Sequence, residues 1–201
     1  MLVVHNINPS KKMLIYDLCS APGGKASHVI QLTNGQAYLV GVDISLHRLK
    51  IEKKILNKLS NSFFKGDLLL GDATVNMLVD QRADRVIVDP DCSALGKLGH
   101  SPEIRLWINE DHIKQYANLQ YKLLKNACRL VKRGGLIAYS TCTLTLEENE
   151  KIVKRIIEEE GLDIVKPLVN VEEEGISLSN ARRLYPHKHE TQGYFYVLLK
   201  K

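Results

Sequence analysis

The sequence has few cysteines and no long apolar run. Its 4 cysteines stand far apart and none belongs to a C-x-x-C pair, which argues against a zinc site or any other bound metal. No apolar run approaches the ~20 residues that cross a bilayer, and no segment resembles a secretory signal. We therefore expect a soluble cytoplasmic protein with unpaired cysteines and no contact with a membrane.

The charge is also not strongly of one sign. A formal net charge of +5 is only a mild lean toward polyanions. Basic side chains gather in a predicted helix and in a late loop. They are Lys50, Lys53, Lys54 and Lys58 in the helix, and Arg182, Arg183, His187, Lys188 and His189 in the loop. Ordinary solvated surfaces would explain both groups, so charge alone does not identify nucleic acid as the partner.

Short apolar runs alternate with longer helical patterns along the chain. Seven runs are predicted to be strands, at 13–18, 37–42, 62–65, 85–88, 136–140, 162–165 and 194–199. Helices are predicted at about 25–32, after a cap at Ser45, at 110–131 and at 147–160. This alternation, with nearly continuous apolar strands, favours an α/β fold with a doubly wound, mostly parallel sheet. We expect one domain over residues 1–201, with ligands bound beyond the carboxyl ends of the strands.

A glycine turn follows the first strand, in the segment DLCSAPGGK at 17–25. Gly23 and Gly24 let the backbone approach a ligand closely, and the next helix presents free N–H groups. The segment matches neither G-x-G-x-x-G nor G-x-x-x-x-G-K-[ST], which disfavours dinucleotide and P-loop sites. Asp43 ends the second strand about 20 residues further on, where a carboxylate can bind ribose hydroxyls. Asp72 follows the third strand and could accept from an adenine amino group. Either aspartate alone could be a cap or turn residue, but together they favour an adenosine ligand.

Two cysteines emerge after neighbouring strands, Cys92 in DPDCS and Cys142 in YSTCT. A lone cysteine is usually a small buried apolar residue, but two at strand ends suggest chemistry. Cytosine C5 attacks a methyl sulfonium only after a thiolate has added to C6, so the reaction needs an activated cysteine, a group near N3 and a base. A free cysteine is only ~3% thiolate at pH 7, and a helix beginning near Glu147 should raise that fraction for Cys142. Asp89 could lie beside N3.

These segments resemble the Sun family of RNA (cytosine-5)-methyltransferases. The similar segments are DLCSAPGGK, VDIS-x-x-RL, GDA, DPDCSALG, YSTCT-x-x-x-EEN and RLYPH-x-x-x-T-x-G-Y-F, in this order from Asp17 to Phe195. The resemblance implies a Rossmann-like class I methyltransferase fold with a seven-stranded sheet whose last strand is antiparallel. It also implies S-adenosylmethionine as cofactor and RNA, ribosomal or transfer, as partner.

The resemblance assigns roles to individual residues. It implies cofactor contacts from Ala21, Pro22, Gly23, Gly24, Lys25, Asp43, Arg48, Asp72 and Asp89. By the family pattern Cys142 bonds to C6 of cytosine and Cys92 assists release of the methylated RNA. Asp89, which the chemistry of the base places beside N3 as a protonated group or as an acceptor from the exocyclic amine, is the third candidate catalytic residue. The family usually has proline before the first cysteine, whereas this chain has Asp91. A carboxylate there should raise the pKa of Cys92.

Two functions from different classes stay open. The first is an active, monomeric RNA (cytosine-5)-methyltransferase that contacts phosphates through both basic groups. The second is a cofactor-binding, RNA-binding protein that is weakened in catalysis or needs a targeting partner. It is suggested by Asp91 and by the first strand beginning near residue 13, which leaves no separate RNA-binding domain. Cys142, Asp89 and Lys25 favour the first function, and the glycine pattern disfavours a dehydrogenase.

Overall fold

Strands and helices alternate in the computed structural model, which describes residues 2–59, 64–169 and 173–201. The strands are β1 (Leu14–Asp17), β2 (Tyr38–Asp43), β3 (Lys65–Leu70), β4 (Ala83–Val88), β5 (Val131–Thr141), β6 (Asp163–Val165), β7 (Glu173–Gly175), β8 (Leu178–Leu184) and β9 (Tyr194–Lys200). The helices are α1 (Leu2–Ile7), α2 (Gly24–Thr33), α3 (Leu46–Leu59), α4 (Glu110–Leu130), α5 (Glu150–Glu160) and α6 (Pro186–His189). Two short 3-10 helices, Leu95–Lys97 and Pro102–Leu106, lie between β4 and α4.

The nine strands of the described residues form one sheet, in the order β3-β2-β1-β4-β5-β9-β8-β7, with β6 also paired to β9. The strands β1 to β5 pair in parallel, and β9 runs antiparallel to β5. The predicted α/β, Rossmann-like fold with a mostly parallel sheet and an antiparallel last strand is therefore confirmed.

The predicted count of seven strands needs correction. The hairpin of β7 and β8 extends the sheet beyond β9. Its strand β8 has the sequence LSNARRL, which lacks the apolar pattern typical of a strand. The two arginines can nevertheless be buried in the sheet because each pairs with a glutamate. The third strand begins at Lys65, the last residue of the run predicted for it, and positions 62 and 63 of that run lie outside the described residues.

Helices cover both faces of the sheet, and alternate residues of each strand point to opposite faces. In β1, Ile15 belongs to the core formed with α1, α2 and α3, whereas Tyr16 belongs to the core formed with α4 and α5. Burial of each large apolar side chain contributes roughly 1.5–3 kcal/mol, so the two cores hold the helices firmly. The loops that follow the parallel strands are left together at the carboxyl edge of the sheet. No helix in the described ranges is long and apolar enough to cross a membrane.

The start of α5 differs from its predicted position near Glu147. The helix begins at Glu150, because the side chain of Asn149 donates to the carbonyls of Thr143 (3.1 Å) and Thr145 (2.8 Å) and holds the preceding residues in a turn. Cys142 is therefore further from the helix than predicted. Since the field of a helix end falls off within its first turn, we do not attribute activation of Cys142 to α5.

Candidate active site

Two adjoining cavities lie at the carboxyl edge of the sheet, of about 470 Å³ and about 110 Å³. Both are lined by Cys19, Arg48 and Asp91, so these residues mark the boundary between them. The predicted site residues on the larger cavity are Ala21, Pro22, Gly24, Lys25, Asp89, Cys92 and Cys142. Asp43 and Asp72 line the smaller cavity, and Gly23 lines neither. The fold thus brings together residues from five separate strand ends, those of β1 to β5.

The two glycines of the turn differ in what a side chain would meet there. Gly23 has φ +102°, and a Cβ there would lie 2.9 Å from Cγ of Glu52. A side chain at this position would therefore be strained, and glycine lets the turn form. A Cβ on Gly24 would meet nothing within 4 Å, because this residue faces the larger cavity at the start of α2. The free N–H groups of that helix start suit a carboxylate or another anion.

The two aspartates of the smaller cavity also stabilise turns. Asp43 is buried, and its carboxylate accepts from the backbone N–H of Ser45 (2.9 Å) and of Ala21 (3.3 Å). Asp72 is exposed and accepts from the N–H of Thr74 (2.8 Å). Both aspartates therefore act as turn residues. A carboxylate has about four acceptor positions, however, so each can still accept hydrogen bonds from a ligand.

Arg48 connects the glycine turn to the segment before Cys92. Its Nη2 donates to the carbonyl of Ala21 (2.6 Å) and lies 3.7 Å from the Asp43 carboxylate, while its Nη1 lies 3.6 Å from Asp91. The side chain of Asp91 is 68% exposed, so it faces solvent and Arg48. An exposed pair of this kind contributes little stability, roughly 0–1 kcal/mol.

Asp89 joins three other elements at the larger cavity. Its carboxylate pairs with Lys25 from α2 and accepts from the hydroxyls of Ser140 in β5 and Tyr194 in β9 (3.2 Å). Neither Ser140 nor Tyr194 was predicted as a site residue, although both lie in segments that carry the resemblance. With three donors on it, Asp89 acts at this edge as an acceptor.

The Sγ atoms of Cys92 and Cys142 lie 3.0 Å apart, although the residues are separated by 50 positions. The hydrogen bond from Cys92 lowers the pKa of Cys142 to about 7; burial opposes this shift and the ammonium of Lys97 assists it. The same hydrogen bond, together with burial, raises the pKa of Cys92. Both shifts favour Cys142 as the thiolate of the pair, with Cys92 as the thiol that donates a hydrogen bond to it.

This pair revises two explanations drawn from the sequence. The pKa of Cys92 is raised as predicted, but its main causes are Cys142 and burial rather than the exposed Asp91. Activation of Cys142 comes from Cys92 and Lys97 rather than from a helix end. Lys97 was missed because a single lysine in the loop segment ALGK has no spacing that indicates a function.

The predicted phosphate contacts from the late basic group are wrong for its two arginines. Arg183 is only 1% exposed, and its guanidinium donates to Glu150 (2.7 Å from Nε) and to the carbonyl of Leu144 (2.9 Å). Arg182 is also buried and pairs with Glu174 (3.3 Å). Both are internal because β8 belongs to the sheet. The four lysines of α3 are exposed, as predicted.

The whole chain is similar to known RNA methyltransferases. A family model described as 16S rRNA methyltransferase RsmB/F matches residues 4–200. A tRNA (cytosine(72)-C(5))-methyltransferase from Pyrococcus horikoshii is 32% identical over 203 residues, which cover 100% of this chain and 50% of the relative. A probable ribosomal RNA small subunit methyltransferase B from Bacillus subtilis is 26% identical, with coverage of 100% and 46%.

Solved structures agree with this similarity. The crystal structure of NSun6 from Pyrococcus horikoshii with SFG has a TM-score of 0.91 and 32% identity, covering 100% of this chain and 50% of that one. TrmN from Thermus thermophilus, at 16% identity and a TM-score of 0.65, covers 99% of this chain and 47% of the other and shares the fold alone. The chain spans about half the length of these relatives.

Proposed function

Because the chain belongs to the RsmB/F family of methyltransferases, whose model matches residues 4–200, we propose that it methylates C5 of a cytosine in ribosomal or transfer RNA. One observation carries the proposal. The paired thiols of Cys92 and Cys142, 3.0 Å apart, share the larger cavity with Lys25 and Asp89. Cytosine C5 chemistry requires an activated thiol beside a group that can hold the base.

S-adenosylmethionine is the cofactor that fits the two cavities. A relative was solved with SFG, an analogue of this cofactor. In this chain Asp43 and Asp72 would accept from the ribose hydroxyls and the adenine amine. The start of α2, left open by Gly24, would take the carboxylate, with Arg48 and the glycine turn closing around the ligand. When bound, the cofactor supplies an electrophilic methyl group.

The two cysteines divide the work on the base. The thiolate of Cys142 adds to C6, and the electron pair of the C5–C6 double bond makes C5 nucleophilic. C5 takes the methyl group, its proton leaves to a base, and the returning electron pair re-forms the double bond and expels Cys142. The thiol of Cys92 donates a hydrogen bond to the departing thiolate, which favours release.

Asp89 holds the base in this scheme. Its acceptor oxygens suit the exocyclic amino group of cytosine, which uracil lacks. Lys25 and Tyr194 hold the carboxylate in place. The target base must be unpaired or flipped to reach the cavity, and the exposed lysines of α3 would contribute salt-dependent phosphate contacts.

The first test is methylation of unmodified transfer and ribosomal RNA with S-adenosylmethionine, followed by mass spectrometry of 5-methylcytidine. Parent protein should form product, and Cys142→Ala should not. The matched control is Cys128→Ala, since Cys128 is an equally free but buried cysteine in α4 and should be dispensable. Cofactor binding with no product on either RNA would favour the second function, a binding protein or a subunit that needs a targeting partner.

The second test isolates the covalent step. RNA with 5-fluorocytidine at the target should accumulate a protein–RNA adduct. A base can remove the proton from C5 but not the fluorine, so the C5–C6 double bond cannot re-form and the cysteine stays attached. The adduct should map to Cys142 and be absent from Cys142→Ala. An adduct on Cys92 instead would reverse the roles that we propose for the two residues.

A further inference from the structure

A buried carboxylate lies behind the two cysteines. Glu148 is 0% exposed, yet four neutral donors point at its oxygens. The backbone N–H of Ser93 (2.9 Å) and the amide of Gln120 (3.0 Å) donate to Oε1. The hydroxyls of Ser93 (2.5 Å) and Thr145 (2.8 Å) donate to Oε2. The carboxylate of Glu148 is therefore fixed by four hydrogen bonds, two to each oxygen.

The contacts of Glu148 reach the residue that follows each cysteine. Ser93 directly follows Cys92, and its only hydroxyl proton goes to Glu148. Its oxygen is 2.7 Å from that of Thr143, which must then be the donor, and Thr143 directly follows Cys142. One carboxylate thus connects the two strand ends that carry the thiols.

The residue before Cys92 is tied to the same group. The amide of Gln120 that donates to Glu148 also donates to the carbonyl of Asp91 (3.0 Å). The hydroxyl of Tyr139 in β5 donates to the backbone carbonyl of Glu148. Glu148 is therefore connected by hydrogen bonds to the residues before and after Cys92 and to the strand that leads to Cys142.

A role in stability alone does not explain this residue. A buried carboxylate is costly to desolvate, and an apolar side chain of similar volume generally stabilises a core as well or better. What an apolar residue cannot do is hold several donors at defined places. The geometry therefore favours a role for Glu148 in fixing the positions of its donors.

We propose that Glu148 is a positioning residue for the methyl transfer: through Ser93 and Thr143 it holds the thiols of Cys92 and Cys142 within hydrogen-bonding distance. This inference rests on the two-cysteine chemistry proposed above. If the thiols separate, Cys142 loses the donor that favours its thiolate, and the departing thiolate loses the same donor during release.

The test replaces Glu148 by glutamine, which keeps the shape and removes the charge. The new amide donor faces groups that are themselves donors, so the network must rearrange. Glu147→Gln is the matched control, since it is the same change at the preceding position, where the side chain is 44% exposed and pairs with Lys151. The measurement is the rate of alkylation of Cys142 by iodoacetamide as a function of pH, with the modified peptide identified by mass spectrometry.

In Glu148→Gln the midpoint of Cys142 alkylation should move up by about 1 pH unit, which is about tenfold less thiolate well below the midpoint. Glu147→Gln should keep the parent midpoint. On an RNA that the parent methylates, kcat should fall at least about tenfold, while KM for the RNA changes by less than about threefold. A purely structural role would lower the melting temperature and leave the midpoint, and kcat per folded molecule, at the parent values. That result would overturn the proposal.

The alkylation assay needs neither RNA nor cofactor, so it separates this inference from the proposed function. A chain that never methylates RNA but shows the shift would keep the inference and lose the function. If Glu148→Gln does not fold, Ser93→Ala decides, because it removes the hydroxyl shared with Thr143 and keeps the backbone N–H. Its control is Thr33→Val, which removes a buried hydroxyl that donates to the carbonyl of Val29 within α2 (2.8 Å). A parent-like midpoint in folded Ser93→Ala would equally overturn the proposal.

Discussion

The most quantitative prediction concerns Glu52, which lies in α3 beneath the glycine turn. The side chain is 0% exposed; one oxygen accepts from Ser20 Oγ (2.8 Å) and the other, Oε1, has no hydrogen-bond partner among the described residues. Burial raises the pKa of Glu52 to about 7, and the nearby Asp43 carboxylate adds to the increase. Glu52→Gln removes this titration and keeps the shape of the side chain.

The magnitude follows from the change in pKa between the unfolded and folded chains. The rise from the ordinary 4.5 to about 7 is about 2.5 units, and at about 1.36 kcal/mol per unit it corresponds to about 3 kcal/mol. Between these two pH values the folded chain keeps a proton that the unfolded chain has lost. The free energy of unfolding of the parent should therefore fall by about 3 kcal/mol as pH rises from 4 to 8, from this group alone.

The assay is thermal or denaturant unfolding of parent and Glu52→Gln at several pH values between 4 and 8. The glutamine amide changes the free energy of unfolding by the same amount at every pH. The quantity to compare is therefore how the difference in free energy of unfolding between the two proteins changes with pH. Relative to the parent, Glu52→Gln should gain about 3 kcal/mol, or roughly 6–12 °C in melting temperature, between pH 4 and pH 8. A difference that stays constant within about 1 kcal/mol would show that Glu52 ionises normally, and would refute the reasoning.

Three further predictions concern the catalytic edge and its support. Alkylation of Cys142 should rise with pH through a midpoint near 7, because the donors that favour its thiolate outweigh the effect of burial. Lys97→Met removes one of these donors and should move the midpoint upward. A parent midpoint of about 8.5 or above would contradict the prediction. Glu150→Gln replaces the carboxylate beside the buried guanidinium of Arg183 by a neutral amide and leaves that positive charge uncompensated. The change should lower the free energy of unfolding by about 3–5 kcal/mol in urea, and a loss below about 1 kcal/mol would mean that the pair is not buried in solution. A Cβ at Gly96 would clash with two backbone carbonyls, one of them the carbonyl of Cys142 at 2.7 Å, so Gly96→Ala should reduce methylation at least about tenfold while cofactor affinity, measured by calorimetry, stays within about threefold.

The fold was predictable because its strongest signals are local. The runs at β1, β2, β4, β5 and β9 are apolar and short, and the helices between them have caps or apolar faces. Parallel strands that alternate with helices must place their carboxyl ends on one edge. That rule was enough to predict that Asp43, Asp89 and Cys142 would lie at the same edge of the sheet, although they are far apart in the chain.

The hairpin of β7 and β8 and the start of α5 were not predictable in the same way. Arg182 and Arg183 indicated a solvated loop, and only pairing with Glu150 and Glu174 across the structure makes a buried strand of them. Asn149 delays α5 because its amide finds carbonyl partners in the folded loop. In both cases the local pattern was outweighed by partners distant in sequence or created by folding.

The sequence by itself determined the kind of protein: the strand order along the chain, the glycine turn, the acidic residues at strand ends and the presence of two cysteines where a reacting base would lie. Only the tertiary structure decided how those groups work together. The 3.0 Å approach of Cys92 to Cys142, the donors on Asp89 and the network of Glu148 are contacts between distant segments. Hydrogen bonds and thiol pKa values depend on distances of a few ångströms and on burial, and these quantities do not exist until the sheet and its loops are assembled.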